Sequence, residues 1–245
     1  MKKSDLLMAG LIIALMMLFL PITILKNFQQ GFLFNENLWW ITSFIKFSVL
    51  ATLGEMIGLR IKKGQYNQPG FGILPRAFVW GFLGIGIKMA FMIFSAGTPI
   101  LLVKFFHIDQ AINAMKVGDI FAANEAGLGF VRFITAFSIS VFMNLIFAPI
   151  FMTFHKITDI HITQTGGTLK GFFSPIPIYK ILSKLDWNIQ WNFVFKRTIP
   201  FFWIPAHTIT FLISPEYRIV FAALLGVILG IILSIAAQRS KSSQE

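Results

Sequence analysis

Lys46 and Lys88 each sit inside a long apolar stretch, where an uncompensated charge is expensive. Lys46 lies eight residues into one stretch and Lys88 seven residues from the far end of the next, so the two ammonium groups share a depth at which no stretch has an Asp or Glu. Such a pair predicts a positive zone suited to an anion. The alternative is that each flexible stem carries its head to the nearer interface. Glu55 and Arg76 bracket the opposite end of the same two stretches, and a hairpin closes them into an ion pair, mainly structural in role. Asn144, His207 and Thr210 are deep polar residues that either hydrogen-bond between helices or line a polar cavity.

Other patterns do not build a reactive centre. His155 and Asp159 are four apart with His161 just beyond, a spacing compatible with a metal, yet three such residues without further support do not define a site. The run Gly166-Gly167-Thr168-Leu169-Lys170-Gly171 lacks the spacing and the Lys-Ser/Thr ending of a phosphate loop. No paired-carboxylate, nucleophile-elbow or zinc-protease motif is present. We therefore expect no enzyme, no metal and no cofactor. With no cysteine there is no disulfide framework either.

The elements that position these groups follow from composition. Of 245 residues, 56% are hydrophobic and only 13% charged, the latter about half the ~25% of ordinary soluble domains. A soluble fold of this size could not cover so much apolar surface. The chain reads as an all-α polytopic transmembrane helix bundle, a single integral membrane domain over 1–245 whose first partner is the lipid bilayer. A helix crosses the ~30 Å hydrocarbon core with about 20 apolar residues. Six stretches serve, at about 6–25, 38–59, 77–95, 133–153, 198–213 and 219–237. The fifth is short, and is either extended by its flanks or thins the bilayer. The first lacks a small-x-small cleavage site and reads as a retained helix.

The net charge of +11 does not argue for nucleic acid, because the positions of the charges follow the bilayer. With the amino terminus inside, fourteen of the 21 basic residues face inward and five outward, and Lys46 and Lys88 lie within spans. This asymmetry predicts both termini on the cytoplasmic side. The connection 99–129 opens with an apolar run too short to cross and continues as a mildly amphipathic stretch over 109–126, suited to the outer interface. On the inner side, Ile178, Ile181, Leu182 and Leu185 recur at helical spacing, predicting an interfacial helix. Pro21, Pro149, Pro200 and Pro205 free carbonyls in or beside spans, while Gly54/Gly58, Gly226/Gly230 and the Gly81, Gly84, Gly86 set offer faces for close helix packing. Such faces also allow a homo-oligomer.

Two segments carry a family resemblance. Trp203-Ile204-Pro205-Ala206-His207, continuing through Thr210, Phe211 and Pro215 to Arg218, resembles the carboxy-terminal signature of the small peroxisomal and inner-mitochondrial membrane proteins, the Mpv-type family. His207 stands at that signature's Gln position and Thr210 at its Asn position. Ala148-Pro149 with Phe154, His155 and Asp159 is similar to the family's Gly-Pro, Trp-Tyr and Asp spacing, and 54–64 resembles its first-helix Gly-Asp segment. Members usually have about four spans. The resemblance implies a shared helical core and a role as a small-solute channel, here in a prokaryotic relative residing in the cytoplasmic membrane.

The expected function is a membrane pore or carrier for small solutes, anions included, lined by Lys46, Lys88, Asn144, His207 and Thr210 between helices bent at Pro149 and Pro205. The rival is a non-transporting scaffold or assembly factor that binds partner helices through its glycine faces and anionic lipid through its basic loop.

Overall fold

A computed structural model describes residues 3–19 and 23–242, and all regular structure among them is helical. Helices satisfy every backbone polar group within the segment, which is what an apolar surrounding demands. Among the described residues, three stretches are long and apolar enough to cross a membrane: Ile73–Phe106, Gly129–Ile146 and Pro215–Ile232. The helix Trp39–Lys63 has the length at 25 residues, but Lys46 and Glu55 lie within it and it closes on Arg60, Lys62 and Lys63. Those cations suit the negative end of the helix dipole.

The chain divides into two units, Met1–Thr42 and Ser43–Glu245. In the first, the helix Lys3–Met17 is 15 residues long, shorter than the stretch predicted over 6–25, and Pro21 lies outside the described residues. Short turns follow, and the Gln29 side-chain amide donates to the Leu18 carbonyl at 2.8 Å.

The second unit revises several boundaries. The helix Ile73–Phe106 continues through Pro99 for 34 residues, about 51 Å at the α-helical rise, so 99–106 is helix and not part of a connection. Pro99 removes one donor, and the apolar run after it keeps the helix going until His107 enters the left-handed region at φ 56°. The stretch 133–153 resolves into two helices, Gly129–Ile146 and Ala148–Gln164, meeting at Phe147 with Pro149 at the start of the second. Pro is tolerated there because first-turn donors have no helical acceptor.

The short fifth stretch is extended by its amino-terminal flank, since a π-helix over Gln190–Trp203 runs directly into Ile204–Leu212. Fourteen residues of π winding is unusual, as most π segments are single-turn bulges. Between 107 and 128, the helices Ala111–Lys116 and Ile120–Glu125 pack on Gly129–Ile146 through Ala111, Ala114 and Ala123, all fully buried. This stretch, predicted to rest on the outer interface, therefore places its small residues against the chain's own helices. Asp119 caps the second of these short helices, and the bond from the Ala122 N–H chiefly holds its carboxyl below the usual carboxylate range.

Glycines let these helices meet. A Cβ on Gly54 would fall 2.9 Å from the Val227 backbone, one on Gly81 against the Phe44 ring and one on Gly84 against Phe47. The tightest approach joins two turns: Gly72 and Gly167 both have positive φ, and a Cβ on Gly167 would lie 2.7 Å from the Gly72 nitrogen. Gly167→Ala is expected to lower stability by about 2 kcal/mol, from left-handed strain plus backbone overlap. Unfolding in mixed detergent micelles checks this, and an unchanged midpoint would remove the contact's importance.

Candidate functional site

A cavity of about 340 Å³ lies within the second unit. Its wall draws on six helical segments: Trp39–Lys63, Ile73–Phe106, Gly129–Ile146, Ala148–Gln164, the run from Gln190 to Leu212, and Arg218–Ser242. Phe47, Ala51, Ile87, Phe147, Phe151 and Val194 make its middle apolar. Polar residues cluster at its two ends.

One end is an ionic cluster. Arg76 Nη1 lies 2.5 Å from Glu55 Oε2 and also contacts Asp159 Oδ1, while its Nε donates to the Phe71 carbonyl at 2.7 Å. The second Glu55 oxygen accepts from Trp80 Nε1 at 2.8 Å and lies 3.4 Å from His155 Nε2. The Trp80 and His155 rings sit 4.4 Å apart. Lys156, 3.9 Å from Asp159, belongs to the wall and is half exposed, which marks this end as the mouth. Gln190 belongs here too, at the far end of the π-helix from Trp203. It is 5% exposed, and its side-chain nitrogen has no acceptor among the described residues.

The other end is built on Asn144 and His207. The Asn144 amide nitrogen donates to the Ser140 carbonyl at 2.8 Å and lies 3.0 Å from His207 Nδ1. Nδ1 also lies 3.2 Å from Asn144 Oδ1, so Asn144 engages Nδ1 in either ring tautomer and Nε2 is left for another partner. Ser140 in turn donates to the Ile204 carbonyl at 2.7 Å, tying the two helices together. Trp203 stacks on His207 at 5.2 Å and Phe91 meets it edge-on at 5.6 Å. The Trp203 indole nitrogen is buried without an acceptor among the described residues. Trp80 and Phe91 stand eleven residues apart on one helix, as do Asn144 and His155 across the Phe147 junction. Both intervals place the two ends about 16 Å apart.

The sequence-predicted lining residues thus separate. Asn144 and His207 come together in the wall, whereas Lys46, Lys88 and Thr210 are not among its lining residues. Lys46 is buried and Lys88 half-buried elsewhere on their helices. Thr210 is fully buried and donates to the Ala206 carbonyl at 2.9 Å. Which face of a helix a lysine occupies depends on rotation about the helix axis, and depth alone does not report that.

The signature residues also divide. His155 and Trp203 line the cavity, and Asp159 completes the cluster on Arg76. Pro149 opens its helix, its carbonyl accepting from Thr153, and Phe154 faces outward. Phe211 is fully buried, its carbonyl accepting from Arg132 and Arg218, whose guanidinium sits 5.4 Å from the Phe211 ring. Pro215 starts the turn before Arg218. His161 turns away from Asp159 to the Phe172 carbonyl at 3.1 Å. Sequence reasoning did not find Trp80 or Gln190, since neither belongs to a motif and neither carries a charge that would need a partner. No protein-family model, no curated protein and no solved structure matches the chain.

Proposed function

We propose that the chain is a multi-pass protein of a prokaryotic cytoplasmic membrane, about six spans with both termini inside, that carries a small solute through this cavity. The observation that supports it most is the cavity itself: an apolar chamber among helices with hydrogen-bonding groups at both ends, the form taken by small-molecule sites in helical bundles. Proline placement supports it as well, because Pro149, Pro200 and Pro205 all stand in segments of the wall. The kinship with the Mpv-type family belongs to the same proposal, and its signature residues His155 and Trp203 stand in that wall. The scaffold reading loses ground where Gly54, Gly81 and Gly84 are already filled by neighbouring side chains of the same chain.

Natural absence of cysteine makes the test direct. Ala51→Cys and Ala148→Cys each add a thiol to the wall with little change in volume. In membrane vesicles both are expected to react with a hydrophilic thiol reagent supplied from either side, as alternating access requires. Protection from both sides would favour the scaffold. A steady anion-selective conductance in planar bilayers, weakened by Lys46→Met with Lys88→Met, would instead favour an open pore lined by the lysines.

A further inference from the structure

We infer that the cavity takes an unbranched aliphatic chain with an oxygen function at each end, an anionic head at the Lys156 mouth and a neutral hydroxyl or carbonyl against His207 and Trp203. The inference rests on the carrier reading for how such a molecule is moved, and its binding is tested separately.

The inner end calls for an oxygen. His207 spends Nδ1 on Asn144, which leaves Nε2 with no partner among the described residues on a ring that forms part of the wall. The Trp203 indole nitrogen, stacked beside it, is a donor without an acceptor. Polar atoms left unpaired away from water are costly, so an entering hydroxyl, which both donates and accepts, gains by meeting them. No Lys or Arg lines that end of the wall, and a neutral oxygen suits it better than a second carboxylate.

The middle calls for methylene groups. Between the ends the wall is mostly Phe, Ile, Ala and Val, and the Thr198 hydroxyl, already donated to the Phe193 carbonyl, is too little to replace the water around an inorganic ion. The separation of about 16 Å asks for a long, thin molecule. At the mouth, Arg76 is shared by Glu55 and Asp159, while Lys156, among the described residues, pairs with Asp159 alone, at 3.9 Å, and stays half exposed. Lys156 is thus the cation an incoming carboxylate can reach, with the unpaired Gln190 amide as a second donor.

The probes are ω-hydroxydodecanoate, dodecanoate and dodecan-1-ol, titrated calorimetrically into the purified full-length protein in detergent micelles. Wild type is expected to bind ω-hydroxydodecanoate about fivefold more tightly than dodecanoate, the value of one net hydrogen bond. Transfer into micelles alone runs the other way, because the added hydroxyl favours water. Trp203→Phe, which keeps the aromatic stack, and His207→Phe should each shrink that preference. Lys156→Gln, at an exposed position, should weaken both acids several-fold and leave the alcohol unchanged. Gly226 lines the cavity and a Cβ there meets nothing within 4 Å, so Gly226→Leu fills the space without a backbone clash and should abolish saturable binding.

Equal affinity of the two acids in wild type, or equal heats in wild type and Gly226→Leu, overturns the inference. So does recovery of a phospholipid bound to each chain that ω-hydroxydodecanoate fails to displace, since a lipid acyl chain is then the occupant. Binding as stated with thiols at 51 and 148 protected from both sides removes the carrier reading and leaves this one standing. Accessible thiols with no saturable binding do the reverse.

Discussion

Arg76→Met is expected to be among the most damaging single substitutions in the chain, costing about 3–5 kcal/mol, the range for breaking a buried ion pair by removing one partner. Arg76 is 9% exposed and its guanidinium holds two carboxylates, Glu55 and Asp159, while Nε holds the Phe71 carbonyl. Without that guanidinium, two carboxylates face each other with Lys156 as the remaining cation and the His155 ring beside Glu55. Arg76→Lys retains the charge but not the planar fork, and a compact ammonium cannot reproduce two carboxylate contacts and a carbonyl bond at once. Its cost should be smaller than that of Met and still measurable. The decisive comparison adds Glu55→Gln and Asp159→Asn to Arg76→Met. If stranded charge is the cause, the triple variant recovers at least half of the loss in a denaturation series, and a triple variant as unstable as the single one would assign the loss to packing instead.

Arg132→Met is the second large effect, about 3–4 kcal/mol, for a different physical reason. Arg132 is fully buried and its guanidinium is held by backbone carbonyls: Ala114 at 2.8 Å, Gly118 at 2.7 Å, Val117, and Phe211 at 3.5 Å. The carbonyls of Val117 and Gly118 lie in the loop between the short helices Ala111–Lys116 and Ile120–Glu125, and that of Ala114 in the last turn of the first, where the helix is running out of donors. Removing the side chain leaves them buried and unpaired. Loss of stability should come with faster proteolysis between 111 and 125, while the ionic cluster at Arg76 is untouched. Resistance of that segment to protease in the variant would show that other contacts hold it. Arg132→Lys brings three donors from one point and is expected to recover part of the loss.

These two arginines also show where legibility in the sequence ends. Glu55 and Arg76 were readable as a pair because they close one hairpin, and a hairpin fixes which residues meet. Asp159 joined them only in three dimensions, since nothing in the spacing of 155–161 says which of its polar groups faces Arg76. Arg132 counts in the sequence as an outward-facing charge. Its actual partners are carbonyl oxygens, which every residue carries and no motif records. Helix ends behaved likewise: Pro99 suggests a stop, and the helix passes through it because the apolar run beyond continues the buried face.

By itself the sequence determined the chemical class of the protein: helices, because apolar stretches of this length must satisfy their own backbone, with a break close to Pro149, because proline lacks a donor. It also marked Asn144 and His207 as deep polar groups. Tertiary structure decided their company. Rotation of each helix about its axis set Asn144 and His207 in one wall and kept Lys46 and Lys88 out of it, and π winding carried Gln190 and Trp203 to opposite ends of the same chamber. Depth along a span is a property of chain length, whereas facing is a property of packing, and the cavity is made of facing.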